Sequence, residues 1–198
     1  SQLVDALLNQ GCTVYGVDKT TINESKNLKH LKHNNQFFYH TIDVQNFEQL
    51  DQIFDEEFDT IYHYASVVGV KHYLISPKDV INVSIIGTQN IIDLSLKYKV
   101  KIVFASTSEV YGKNPKIPWK ERDDRVLGST EIERWTYGSS KAIAEHLLIS
   151  NLKNTGIEWV IVRYFNIYGP RQNSNFVVTQ NIINYSNKKS LIRHNDGL

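Results

Sequence analysis

The sequence predicts an α/β chain built on a mostly parallel sheet covered by helices on both faces. Three observations carry this: the apolar period alternates between helix and strand, the strand-like runs are rich in apolar residues, and no hairpin signal joins neighbouring strands. Strands separated by helices need right-handed crossovers, and those give parallel pairing. A run such as "KIVFA", Lys101 to Ala105, suits a strand buried on both sides.

The elements come in this order. Leu3, Val4, Leu7 and Leu8 recur on one helical face, and Gly11 stands just past that helix. Cys12 to Asp18 and Gln36 to Val44 read as strands, and Phe47 to Phe58 as an amphipathic helix. Thr60 to Ser66 is a third strand, Pro77 to Tyr98 a long helix, and Val100 to Ser106 a fourth strand. The loop from Lys113 to Arg134 is charged and holds proline, so it is expected as a solvated surface excursion. A helix from Trp135 to Asn154 then stops at Gly156, and Ile157 to Phe165 is the fifth strand. A helix near Asn175 to Asn187 and a short strand at Leu191 to His194 close the chain.

Composition bounds what such a chain does. Of its 198 residues 41% are hydrophobic and 22% charged, which fits one globular domain, or one and part of another. A net charge of +1 gives no electrostatic case for nucleic acid or anionic membrane, and no run approaches the roughly 18 apolar residues of a membrane helix. Cys12 is the single cysteine; a buried, inert thiol in a reducing compartment is expected, and the cytoplasm is the location read from it. The histidines, at 30, 33, 40, 63, 72, 146 and 194, make no recognisable metal-ligand set, so no metal is expected.

In open parallel sheets ligands sit beyond the carboxyl ends of the strands. Asp18, Asp43, Ser66 and the run "STSEVYG", Ser106 to Gly112, all fall there. Asp18 ends the second strand of a dinucleotide-binding βαβ pattern, where a carboxylate accepts ribose hydroxyls and repels a 2′-phosphate. That favours NAD over NADP, with Lys19 beside it pulling the other way. In "WTYGSSK" Tyr137 and Lys141 stand at i and i+4 on one helical face. A phenol titrates near ~10 and needs a cation to act as a base at neutral pH, which a lysine one turn away supplies. Thr107, about thirty residues upstream at a strand end, can relay a proton beside that phenolate.

With these pieces in place the sequence resembles the extended short-chain dehydrogenases/reductases, in their NAD-dependent nucleotide-sugar epimerase/dehydratase branch. The matching stretches are "VYGVDK", "IDV", "IYHYAS", "NVSIIGTQN", "STSEVYG", "YGSSK" and "VRYFNIYGPRQ", in the family's order across nearly the whole chain. The resemblance implies a Rossmann-type NAD domain over residues 1–170 and the start of a substrate domain over 171–198. It implies Tyr137 as base, Lys141 on the nicotinamide ribose and Thr107 assisting. Asp18 would bind the adenosine ribose, Asp43 and Val44 would flank the adenine, and Tyr64, Ala65 and Ser66 would line the cofactor. Asn166 would reach towards the diphosphate of a nucleotide sugar. Oxidation of the sugar 4-hydroxyl would give a 4-keto sugar, which epimerises, loses water, or decarboxylates if C6 is a carboxylate.

Thr107 then serves the hydride step, while Ser108 and Glu109 are placed to act on the ketone it leaves. The dehydratase pattern is Thr-Asp-Glu, and Ser108 in the middle slot argues against ordinary dehydration. "STSE" resembles the UDP-glucuronate decarboxylases and "RYFNIYGPRQ" the UDP-sugar 4-epimerases, so both remain open, with a 4,6-dehydratase or a non-catalytic dinucleotide-binding relative as alternatives. The family also implies a homodimer through the helices at Pro77 to Tyr98 and Trp135 to Asn154. Two departures stand out. The family's first strand and Gly-x-x-Gly-x-x-Gly loop have no counterpart in "SQLVDALLNQG", so an interrupted sheet and a weakened pyrophosphate site are expected. Ser84 stands where the family has an asparagine facing the cofactor, and Asn82 points elsewhere on that helix.

Overall fold

A computed structural model of the protein describes residues 1–55, 57–68 and 75–192. Helix α1 (Gln2–Asn9) leads into strand β1 (Val14–Asp18), and β2 (Phe37–Thr41) lies parallel to it. Helix α2 (Phe47–Gln52) precedes β3 (Thr60–His63), and helix α3 (Pro77–Tyr98) precedes β4 (Lys101–Thr107). Helix α4 (Thr136–Leu152), β5 (Trp159–Tyr164) and α5 (Val177–Ser186) complete the described elements.

Every named strand pair is parallel, but the strands form two sheets: β1-β2, and β3-β4-β5. This is the order of a doubly wound sheet read without its first strand. Tyr15 and Val17 of β1 are 37% and 36% exposed, and Tyr62 of β3 is 39%. Each sheet has its own core. Leu8, Leu31 and Phe37 pack under β1-β2. Ile91, Ile92, Leu94, Ile102, Phe104, Ala144 and Leu148 join α3, α4 and β4 in the larger one. Val44 belongs to this core and seats against α3, where a Cβ at Gly87 would come within 2.6 Å of its Cγ1.

Four local expectations change. The α2 helix ends at Gln52 rather than Phe58 because Asp55 accepts the Glu57 amide at 3.0 Å, a turn that competes with helix. The apolar spacing there serves instead a stack of Phe54 on Phe58 (4.5 Å) and on Tyr98 (5.2 Å). Cys12 is exposed, since it lies in the turn after Gly11 and ahead of β1. Leu191 and Ile192 form no strand: Asn181 bonds both backbone groups of Ile192, at 3.0 and 2.7 Å, and Arg193 and His194 lie outside the described residues.

The long loop is not a loose excursion either. Lys113 N donates to the Val126 carbonyl at 2.6 Å, buried Asn114 reaches the Asp124 carbonyl at 2.7 Å, and Trp119 stacks on Tyr111 at 5.1 Å. Most of its charges face water, while its amides and aromatics tie it to the end of β4. Among the described residues no helix is long and apolar enough to cross a membrane, and no group of three or more His, Cys, Asp or Glu side chains could hold a metal.

Candidate active site

The carboxyl end of β4 runs straight into a 3-10 turn, Ser108–Tyr111, and α4 packs across it. The contact is tight because the third residue of α4 is a glycine: a Cβ on Gly138 would stand 2.8 Å from the Glu109 carbonyl oxygen. Tyr137 and Lys141 are thereby carried to the Thr107–Glu109 segment. Both are buried, at 8% and 1% exposure, and Tyr137 packs on Val80 of α3. Thr107 Oγ1 accepts the Glu109 amide at 3.2 Å, so the hydroxyl cluster is a strand-ending turn and keeps a hydroxyl proton for other use.

Lys141 Nζ donates to the Ala105 carbonyl at 2.9 Å and lies 4.7 Å above the Phe104 ring. Burial pushes its pKa down to about 8, and the charge of Glu145 opposes that. His63, whose ring centroid lies 5.6 Å from that of Phe104, is buried with Nε2 3.0 Å from Thr88 Oγ1. Burial, helped by the Lys141 charge, lowers its pKa to about 3 and keeps it neutral.

Glu109 faces a partner that sequence reasoning did not single out. Arg134 grips it with both nitrogens, at 2.6 and 2.8 Å, from three residues ahead of Tyr137. The spacing to Tyr137 was a usable signal, because a residue there sits in the 3-10 turn Glu133–Trp135 that leads directly into α4. Ser108 is half-buried beside them, and Asn166 lies exposed beyond β5.

Asp18 ends β1 and Asp43 follows β2, and the Ile42 amide donates to the Asp18 carbonyl at 3.0 Å between them. Asp18 accepts the Thr20 amide at 2.9 Å and Asp43 the Gln45 amide at 2.9 Å, while Asp18 and neighbouring Lys19 are exposed. Val44 turns its side chain into the core, and its carbonyl accepts Asn90 Nδ2 at 2.9 Å. Beyond β3, the Tyr64 and Tyr164 hydroxyls meet at 2.6 Å, and burial raises the Tyr64 pKa. Ala65 packs against the larger core. The Ser66 and Ser84 hydroxyls are buried without a hydrogen-bond partner. Ser66, just past β3, and Ser84, within α3, are unsatisfied hydroxyls whose burial costs about 1–3 kcal/mol each, and a polar ligand would complete them.

The family described as GDP-mannose 4,6 dehydratase matches residues 1–195. The chain belongs to that family, one of the NAD-dependent epimerases/dehydratases. It is 36% identical over 171 residues to a UDP-N-acetyl-alpha-D-glucosaminuronate decarboxylase of Bacillus cytotoxicus, covering 86% of this chain and 52% of the relative. It is 34% identical over 174 residues to UDP-glucuronic acid decarboxylase 1 of Arabidopsis thaliana, covering 86% and 38%. The chain therefore spans about half the length, or less, of these curated relatives. Among solved structures, the Bacillus cereus UDP-glucuronic acid 4-epimerase in complex with UDP-glucuronic acid and NAD superimposes with a TM-score of 0.82 at 29% identity, over 99% of this chain and 62% of that one. A Streptomyces venezuelae dTDP-glucose 4,6-dehydratase, DesIV, gives 0.84 at 22% identity over 99% and 61%, a likeness of fold. The α/β fold of this family member is thus the Rossmann-type fold of those enzymes.

Proposed function

We propose that the protein is an NAD-dependent enzyme that acts on a UDP-sugar through a 4-keto intermediate. The observation that carries this is the buried Tyr137 and Lys141 on one face of α4, pressed by Gly138 against the turn Thr107–Glu109. Residues 1–170 would form the cofactor domain and 171–198 the start of the substrate domain. The unpartnered hydroxyls of Ser66 and Ser84, with Tyr64, Ala65, Asp18, Lys19, Asp43 and Val44 along the strand ends, fit NAD. When bound, NAD supplies the hydride acceptor. Tyr137 takes the proton of the sugar 4-hydroxyl, the Lys141 ammonium stabilises the phenolate, and Thr107 hydrogen-bonds the reacting oxygen. Asn166 would meet the sugar-nucleotide diphosphate.

The ketone either epimerises at C4 or decarboxylates, and the uronate decarboxylases among the relatives favour the second. A uronate carboxylate lies β to a C4 ketone. Loss of CO2 leaves the C5–C6 electron pair on the enolate, and an acid must then protonate C5. Glu109 is ion-paired with Arg134, so Ser108, one residue from Thr107, would pass that proton from water to C5, with Glu109 fixed beside it.

Purified protein incubated with UDP-glucuronate and other UDP-sugars, with products resolved by chromatography, tests the reading. Tyr137→Phe should retain NAD and lose turnover by at least ~100-fold; a variant with unchanged turnover would refute the role of Tyr137. A 4-keto-6-deoxy product would instead identify a 4,6-dehydratase, and bound NAD without turnover a non-catalytic relative. We also propose a homodimer through α3 and α4, which expose Ile81, Ile86 and Ile143. A monomer mass by light scattering at micromolar concentration would overturn it. The cytoplasm is the compartment we assign, tested by cell fractionation.

A further inference from the structure

A second buried pair of groups meets the strand that carries Thr107. Lys141 and Glu145 stand one turn apart on α4 and grip consecutive residues of β4. Lys141 Nζ bonds the Ala105 carbonyl, and Glu145 accepts the Ser106 hydroxyl. Thr107 is next in line. Glu145 is 5% exposed and holds Arg163 of β5 through both carboxylate oxygens, at 3.0 and 2.7 Å. Arg163 donates onward to the Glu121 carbonyl at 2.9 Å and lies 4.9 Å over the Tyr111 ring. One carboxylate therefore ties β4, β5, α4 and the long loop together at the reacting end of the sheet.

We propose that Glu145 is a positioning residue for the chemistry at Tyr137, Thr107 and Lys141, a role that rests on the functional reading of that site. Its reach to Ser106 fixes the height of the Thr107 hydroxyl against α4. Its charge holds the Lys141 ammonium in place and protonated against burial. A pair made only to bind β5 to α4 has no need of Ser106, nor of a place one turn from Lys141. The groups facing Lys141 agree with this division of labour. On α4 these are Tyr137 and Glu145; on β3 it is His63, held neutral by burial and by Lys141 itself; from β5, Arg163 reaches Lys141 only through Glu145. Glu109, on the adjoining turn, is already held by Arg134.

Carbon-13 NMR of the lysine Cε and glutamate Cδ resonances, followed from about pH 5 to 10, reads both ends of the pair. Lys141→Met and Glu145→Gln assign the two signals. In the parent protein the Glu145 signal steps at the Lys141 midpoint. In Glu145→Gln the Lys141 midpoint falls by about one pH unit, a tenfold change in the unprotonated population. Glu145→Asp returns it towards the parent value. A Glu145 signal blind to the Lys141 titration overturns the proposal, as does a folded Glu145→Gln protein with an unmoved Lys141 midpoint. If Glu145→Gln does not fold, the parent titration decides alone. NAD retention and turnover with Tyr137→Phe test the underlying reading separately, since neither result depends on the NMR midpoints.

Discussion

Replacing Gly138 by alanine probes the packing on which the site depends. The added Cβ would stand 2.8 Å from the Glu109 carbonyl oxygen and 3.3 Å from its carbon. Both obstructing atoms are backbone, so no side-chain rotation relieves the contact; α4 or the turn must move. Overpacking of this kind costs about 1–3 kcal/mol, and alanine recovers up to about 1 kcal/mol of helix propensity, less this close to the helix start. The net loss is about 1–2 kcal/mol, or about 2–8 °C in Tm for a chain of this size. Because the turn carries Thr107, Ser108 and Glu109, the same movement separates them from Tyr137 and lowers turnover. Gly169→Ala is the control, since its Cβ would meet nothing within 4 Å. Thermal and urea unfolding of both variants measure the difference. Equal stability of the two would refute the close approach of α4 to the turn.

The remaining predictions concern charge. His63 titrates at about 3 in the folded protein and near 6.5 when unfolded, so the unfolded chain binds the extra proton between those values. Its contribution is whole above about pH 6.5 and lost as the pH falls, reaching about 2 kcal/mol by pH 5; urea midpoints should show that slope and His63→Gln should flatten it. Arg134→Ala removes an ion pair whose partners are 39% and 32% exposed, so stability should change by less than about 1 kcal/mol. Turnover of a uronate substrate should nonetheless fall severalfold, because Glu109 loses the guanidinium that orients it; unchanged kinetics would remove Glu109 from the mechanism.

What the sequence made legible depended on how local the cause was. The α3 helix runs from Pro77 to Tyr98 as its apolar face and proline start require. Tyr137 and Lys141 share a helical face by spacing alone. The α2 helix was overextended because a periodic apolar pattern cannot announce an aspartate that bonds its own backbone two residues on. The grip of Arg134 on Glu109 and of Glu145 on Ser106 joins residues 25 and 39 apart, and only the packing of α4 across β4 brings them together. The long loop escapes sequence reading for a related reason: its charges are visible in the residues, and the amide bonds that anchor it are not.

The division of the sheet has a consequence for how the molecule opens. With no hydrogen bonds across from β1 to β3, the segment α1-β1-β2 is attached to the rest by side-chain packing and loop contacts rather than by a ladder. Among the described residues its own core is three buried side chains against the eleven of the larger cluster. Amide protons of β1 and β2 should therefore exchange through partial openings that leave β4, α3 and α4 intact. The helix that carries Tyr137 and Lys141 and the strands that lead to Asp18 and Asp43 would then belong to units of different stability, and a ligand bridging both would act as the clasp that makes them unfold as one.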